Sequence, residues 1–420
     1  MTSSRARSAP VPPVHDIGAE IMARADALAA ISEQADGLTR RYLSPEHARA
    51  NALVAKWMRD AGMTARIDAV GNVVGRYEGL GADAPALFLG SHLDTVADAG
   101  RYDGMLGVIT AISCIGALHR SGERFDFAIE VLGFGDEEGL RYQSTLLGSR
   151  AVAGNFDPAL LARCDQNGVS MADAMRAFGL DPDAVGDAAR KPAEVLGYVE
   201  LHIEQGPVLE KRGRPVGAVT AIAGATRLAV TVTGEAGHAG TVPMDSRRDA
   251  LTAAAEVVLA VEALCSGKPG VVGTVGVLDV LPGASNVIPG KAMLSIDIRA
   301  GENAQRLQAV DDVRKAVAGI AGKRGVAIDV QQTHESQSSP CAPWLIRQIV
   351  AAIGEDDAVC LPSGAGHDAA AMAALSDVGM IFVRCTGGIS HNPAESISEA
   401  DAQAGADTLI RFIQNFKVED

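Results

Sequence analysis

At 420 residues, 47% apolar and 21% charged, the chain is long enough for about two or three domains with real cores. Its formal net charge of -15 argues against nucleic acid or an anionic membrane as partner, because both reward a basic surface. The cysteines at 114, 164, 265, 341, 360 and 385 are scattered without C-x-x-C spacing, so they read as reduced, buried thiols of a cytoplasmic protein, not as a disulfide framework.

Residues 1–16 hold a Pro cluster and two Arg but no apolar stretch, and read as a mobile arm, not a secretory signal. No apolar run approaches the roughly 18–20 residues of a membrane span. Residues 17–62 carry apolar positions at helical spacing, with Ser44-Pro45 as an N-cap and first-turn signal. Strand-like runs at 65–70 and 72–77 flank Gly71 as a hairpin, and the run at 86–90 leads straight into Ser91-His92-Leu93-Asp94. An apolar helix over 104–120 follows, then a strand at 127–134 that runs into Gly135-Asp136-Glu137-Glu138-Gly139. Further on, Val199, Leu201 and Ile203 alternate with Glu200, His202 and Glu204, the period of two expected of a strand.

From about residue 214 the texture changes to strands with helices at 246–265 and 302–323, a pattern resembling a ferredoxin-like α/β sandwich. The first pattern then returns, with helices at 343–353 and 399–416 around two short strands. The expected architecture is α/β: a catalytic domain from 17–213 and 331–420, with a mixed, mostly parallel sheet and flanking helices, interrupted by an inserted domain at 214–330.

Five metal-ligand-type residues stand out: His92, Asp103, Glu138, His202 and His391. Four of them end or follow an apolar strand-like run, and the strand ends of a parallel sheet converge on one crevice. Two or three carboxylates with histidines at one point suit a pair of divalent metals. Each alone has a plainer reading: a core histidine, a solvated acidic loop, or, for Asp103, a helix N-cap. Asp94, two residues beyond His92, is placed to orient that imidazole. In the acidic triplet, neighbouring positions suit two roles, Glu138 as ligand and Glu137 as general base.

GSHLDTV, RYDG, GDEEG, ELHIEQG, SGAGHDA and GGISHNP resemble the M20 metallopeptidase-like amidohydrolases over about residues 17–416. They match the branch acting on ureido and N-carbamoyl groups: allantoate amidohydrolase, N-carbamoyl-L-amino acid hydrolase and β-ureidopropionase. The resemblance implies a zinc-peptidase-like catalytic domain whose first metal takes His92, Asp103 and His202. The second would take Asp103, Glu138 and His391, with Glu137 as base. The metals would be Mn²⁺ or Zn²⁺, with Co²⁺ and Ni²⁺ as further candidates. The inserted domain would be a lid and the contact of a homodimer, and would send His238 into the partner subunit's site to stabilise the oxyanion. Gln205, Asn286 and Arg299 would contact a small ureido acid, Arg299 gripping its carboxylate. Asn286 as a turn former and Arg299 as a surface strand residue are the plainer readings of those two. The stretch DTVADAGRYDGMLGV is closest in character to bacterial allantoate amidohydrolases, which makes allantoate the favoured substrate. N-carbamoyl-L-amino acids and 3-ureidopropionate stay open beside it, as do a dipeptidase or aminoacylase on the same chemistry and a non-catalytic binding protein on the same fold.

Overall fold

The computed structural model describes residues 16–354 and 358–419. They divide into two compact units. One comprises the chain through Val219 with Cys341–Cys360 and the segment from His367 onward; the other is Thr220–Pro340 with Leu361–Gly366.

The first unit is built on a mixed sheet. Its strands run in the order Thr64–Ile67, Val73–Tyr77, Ala128–Phe134, Ala86–His92, Val195–Ile203, Val378–Val383 and Val216–Ile222. The four at the centre, from Ala128–Phe134 to Val378–Val383, are mutually parallel. Every residue of Ala86–His92 and Ala128–Phe134 is buried, which explains why both read as unbroken apolar runs. Helix Met105–Arg120 is buried along nearly its whole length and packs against Ile17–Ala29 and Glu399–Asn415. Strand Val216–Ile222, at the start of the segment expected to be inserted, pairs antiparallel with Val378–Val383.

In the second unit the chain order is strand, helix, strand, strand, helix, strand. The strands are Gly224–Thr233, Val271–Leu281, Lys291–Ala300 and Ala327–Ser336, and the helices are Ala250–Ser266 and Asn303–Arg324. The sheet is antiparallel with Ala327–Ser336 and Val271–Leu281 at its edges, the ferredoxin-like arrangement. Along Lys291–Ala300, buried residues alternate with less buried ones, so one face covers the two helices and the other carries polar side chains.

Two local expectations need correction. Residues 17–62 form two helices, Ile17–Ala29 and Pro45–Asp60, and the residues at 30–44 between them are not helical. The break is held by Arg40, fully buried, whose guanidinium donates to the carbonyls of Leu28 (2.9 Å), Ile31 (2.8 Å) and Leu93 (2.8 Å). Two of those carbonyls lie at or just past the end of the first helix, where the regular helical hydrogen bonds run out. The second helix begins where Ser44-Pro45 signalled, with Ser44 Oγ accepting the His47 N–H at 3.0 Å. Asp103 is not a helix cap: Gly104, at φ 71°, holds that position, and no side chain caps the helix.

His47 gives the fold a definite acid sensitivity. Burial first, and Arg40 second, push its imidazole down to about 3. The unfolded chain takes up that proton below about pH 6.5 while the folded chain does not. The stabilising contribution is therefore full above pH 6.5 and is lost as pH falls towards 3, amounting to about 2 kcal/mol by pH 5. Denaturant midpoints at pH 7 and pH 5 should diverge less in His47→Gln than in the wild type. Equal divergence in both proteins would refute the assignment.

Candidate metal centre

The four parallel central strands stop at one edge of the sheet, and each delivers one residue there. His92 is the last residue of its strand, and His202 is next to last in its own. Glu138 follows the end of Ala128–Phe134, and His391 follows Val378–Val383 after a longer loop. Adjacent strands are about 4.8 Å apart, so ligand-sized separations arise from the sheet itself.

Asp103 occupies the middle. Its Oδ1 lies 3.3 Å from His202 Nε2 and 3.9 Å from His92 Nε2, and its Oδ2 lies 3.1 Å from His391 Nε2. Glu138 Oε1 is 3.5 Å from His391 Nε2. Among the described residues, four groups of side chains could each hold a cation: His92 with Asp103 and His202, Asp103 with Glu138 and His391, His92 with Glu137 and Glu138, and Glu200 with His202 and His367. Gly104 is tied to this arrangement, because a Cβ on it would overlap the His92 ring.

The histidine tautomers test whether these residues suit a metal. His92 Nδ1 faces the Asp94 carbonyl at 3.0 Å, and His202 Nδ1 faces the Ile203 carbonyl at 2.9 Å. A carbonyl only accepts, so both Nδ1 atoms carry the proton and both Nε2 atoms present lone pairs. The His202 lone pair accepts the Gly104 N–H at 3.1 Å, and both Nε2 atoms lie near the same Asp103 carboxylate oxygen. Two imidazole nitrogens and a carboxylate oxygen grouped this closely are a donor set that fits a divalent metal.

Charge points the same way. Burial pushes the Glu137 carboxyl well above its ordinary range, opposed by His92 and reinforced by Glu138. Burial likewise pushes Glu138 up to about 7. Asp103 is buried too, yet the His202, His391 and His92 imidazoles around it hold it well below the usual carboxylate range.

Asp94 has a different task from the one its position suggested. Its carboxylate is 3.8 Å from His92 Nδ1, and its two oxygens accept the backbone N–H groups of Glu137 (3.0 Å) and Glu138 (3.2 Å). It therefore shapes the acidic turn, while its own carbonyl orients His92. Gln205 lies at the centre, donating through Nε2 to both oxygens of Asp103 at 3.1 Å and to Ser390 Oγ at 3.1 Å. Asp136, Gln205 and His391 all hold left-handed backbone conformations (φ 61°, 56° and 54°). Such strain, on the order of 1–3 kcal/mol each, gathers at functional sites.

Several supporting residues escaped the motif reading. Glu395 Oε1 accepts the N–H groups of Tyr102 (2.8 Å) and Asp103 (3.1 Å), and its Oε2 meets Ser390 Oγ at 3.0 Å. Ser390 Oγ reaches Asp103 Oδ2 at 3.2 Å. Glu200, fully buried behind His202, accepts from Ser91 Oγ, Tyr198 OH and the Ala369 N–H. His367 stacks edge-on against His202 with ring centroids 4.5 Å apart. Glu200, His367 and Ser390 lie within the ELHIEQG, SGAGHDA and GGISHNP stretches, and the alternation through residues 199–204 placed Glu200 on the face of His202, but nothing local gave any of them, or Glu395, a role.

The remaining predicted residues belong to the second unit. His238 and Asn286 are brought together there: strand Gly237–His238 pairs with Val287–Ile288, and the Ala239 N–H donates to the Asn286 carbonyl at 3.0 Å. His238 Nδ1 accepts the Gly240 N–H at 3.1 Å, which leaves the ring proton on Nε2. Arg299 lies on strand Lys291–Ala300 beside Asp297.

Among the described residues, no helix is long and apolar enough to cross a membrane. The profile of Peptidase family M20/M25/M40 matches residues 88–415. The chain is 41% identical to allantoate deiminase 2 of Glycine max, an alignment covering 94% of this chain and 89% of the relative. It is also 41% identical to the N-carbamoyl-L-amino acid amidohydrolase of Geobacillus stearothermophilus, covering 90% and 93%. Among solved structures, an amidase of the hydantoinase/carbamoylase family from Burkholderia multivorans superposes with a TM-score of 0.90 at 32% identity, covering 96% of this chain and 98% of that one.

Proposed function

The chain belongs to peptidase family M20/M25/M40, and from that premise we propose that it is a dinuclear-metal hydrolase of a ureido C–N bond in a small carboxylate-bearing substrate, with allantoate favoured. The observation that carries this reading is Asp103, whose two oxygens face different histidines, Oδ1 towards His202 and Oδ2 towards His391. A carboxylate so placed suits two cations at once. One would be held by His92, Asp103 and His202, the other by Asp103, Glu138 and His391, as Mn²⁺ or Zn²⁺, with Co²⁺ or Ni²⁺ also suited to these ligands.

Bound there, divalent metal would polarise the ureido carbonyl and lower the pKa of water from about 15.7 to around 7. Glu137 takes the proton of the attacking water and returns it to the departing nitrogen, so that ammonia leaves. The carbamate left behind decomposes to an amine and carbon dioxide; from allantoate the product would be ureidoglycine. In the partner subunit's site, His238 with its proton on Nε2 would donate to the oxyanion, a contact typically worth roughly 3–4 kcal/mol. Gln205 orients Asp103 and adds a polar contact, Asn286 binds the substrate, and Arg299 grips its carboxylate.

We read the protein as a homodimer formed through the second unit. Edge strand Val271–Leu281 supports this, because it exposes Val272, Val277, Leu278 and Leu281, and an unpaired apolar edge invites pairing with another copy. Sedimentation would test it directly. The six unpaired cysteines fit a cytoplasmic setting, although Cys164 and Cys360 are exposed and not buried as expected.

Relatives at the same 41% identity favour a second substrate reading, the N-carbamoyl-L-amino acids. Ammonia release by Mn²⁺-loaded protein decides between them, compared by kcat/KM on allantoate, N-carbamoyl-L-amino acids and 3-ureidopropionate. A clear preference for allantoate is expected. Preference for another ureido acid would keep the chemistry and change the substrate; no turnover of any by metal-loaded protein would overturn the reading.

A further inference from the structure

Arg299 does not stand alone on its strand. Its Nε donates to Asp297 Oδ1 at 2.9 Å and its Nη2 to Asp297 Oδ2 at 3.1 Å, a two-point grip along one side of the guanidinium. Its Nη1 donates to the Gly364 carbonyl at 2.8 Å. Arg227, directly across the sheet from Asp297, donates from Nε to Asp297 Oδ2 at 3.0 Å. Asp297 is thus held between two arginines on the polar-bearing face of the sheet.

The donor count of the guanidinium then has a consequence. Arginine carries five N–H groups in a fixed plane. Asp297 occupies the one on Nε and one on Nη2, and Gly364 occupies one on Nη1. One N–H remains on each terminal nitrogen, and Arg299 keeps about a third of its side-chain surface exposed, at 32%. The charges count in the same direction: two guanidinium groups and one carboxylate leave the trio with a single positive charge.

We infer that Asp297 is a specificity-determining residue, which fixes Arg299 side-on so that only its two terminal nitrogens are offered to a substrate carrying one carboxylate. This rests on the reading of Arg299 as the carboxylate-binding residue. Without Asp297 the guanidinium is free to rotate on its long stem, and its ordering must be supplied at each binding event. The cost falls on substrate capture more than on the chemical step. The single net charge also matches one carboxylate and disfavours a second.

The test compares a ureido acid with its neutral carboxamide analogue on the Mn²⁺-loaded holoenzyme. The wild type is measured first: equal kcat/KM for acid and amide would defeat the reading of Arg299 itself, before any variant is made. With a wild-type preference for the acid in hand, Asp297→Asn is expected to raise KM for the acid roughly tenfold or more, with kcat changed far less. KM for the carboxamide should hardly move, so the ratio of acid to amide falls. Arg227→Gln leaves the Asp297–Arg299 pair in place and removes one positive charge, and is expected to raise the KM for the acid severalfold. It carries the test if Asp297→Asn lacks a cooperative thermal transition. An unchanged acid-to-amide ratio in a folded, metal-loaded Asp297→Asn, or in Arg227→Gln when that variant carries the test, overturns the inference.

Discussion

Glu137→Gln is expected to abolish ammonia release while leaving metal content intact. Glu137 stands next to Glu138 in the acidic turn, and its carboxyl oxygen lies within 4.8 Å of ligand atoms of His92 and Glu138. Its backbone N–H is fixed by Asp94, so the side chain is delivered from a rigid turn. Gln has nearly the same shape and keeps one acceptor oxygen, but cannot take a proton at neutral pH. General-base catalysis contributes typically about 10²–10⁴-fold, so kcat should fall by that amount or more. The metal bound per subunit, measured on the same sample, should stay within error of the wild type, because His92, Asp103, Glu138, His202 and His391 are untouched. A kcat within tenfold of wild type would remove Glu137 from the mechanism. Loss of the metal together with activity would instead make it a ligand, which its grouping with His92 and Glu138 also permits.

The parts of this molecule that were legible in the sequence are those where one local rule decides the outcome. Val199, Leu201 and Ile203 must share a face in a strand, and His202 falls on the other; both follow from the period of two. The strand-end positions of His92, Glu138 and His202 were readable for the same reason. Their convergence was readable only because strands separated by helices imply a parallel sheet, whose C-terminal ends share an edge. What could not be read was long-range partnership. Nothing near Asp94 tells that its carboxylate would accept the N–H groups of residues 137 and 138, since that bond depends on how two adjacent strands end. Arg40 is a similar case: a charged residue amid polar ones reads as surface, yet it is fully buried because three carbonyls meet there. The interval 30–44 looked helical by spacing, and the tertiary demand of those carbonyls overrode that preference.

The second large effect expected is at Asp103, and it separates a shared ligand from the residues that position it. Asp103→Asn keeps the size of the side chain but replaces one acceptor oxygen with a donor. Gln205 Nε2 already donates to both oxygens at 3.1 Å, and Ser390 Oγ reaches Oδ2 at 3.2 Å. An amide nitrogen in either position meets a donor or faces a site meant for a cation. Metal affinity should therefore fall by more than the roughly 10–100-fold typical of losing an outer partner of a ligand. Glu395→Ala provides that lesser case. It leaves the Tyr102 and Asp103 N–H groups without their acceptor, at about 1–3 kcal/mol each when buried, and should weaken metal binding within the 10–100-fold range. Glu395→Gln retains an oxygen for those two N–H groups and should recover most of the loss. Gly100 shows how tightly that carboxylate is enclosed, because a Cβ there would overlap it. Competition against a chelator of known affinity would rank the three variants, with kcat measured at saturating metal. The order Asp103→Asn, Glu395→Ala, Glu395→Gln, from worst to mildest, is what a carboxylate shared between two cations and braced by Glu395 requires. Wild-type affinity in Asp103→Asn would mean that the metal is held elsewhere, for no arrangement that uses both oxygens of Asp103 survives the loss of one.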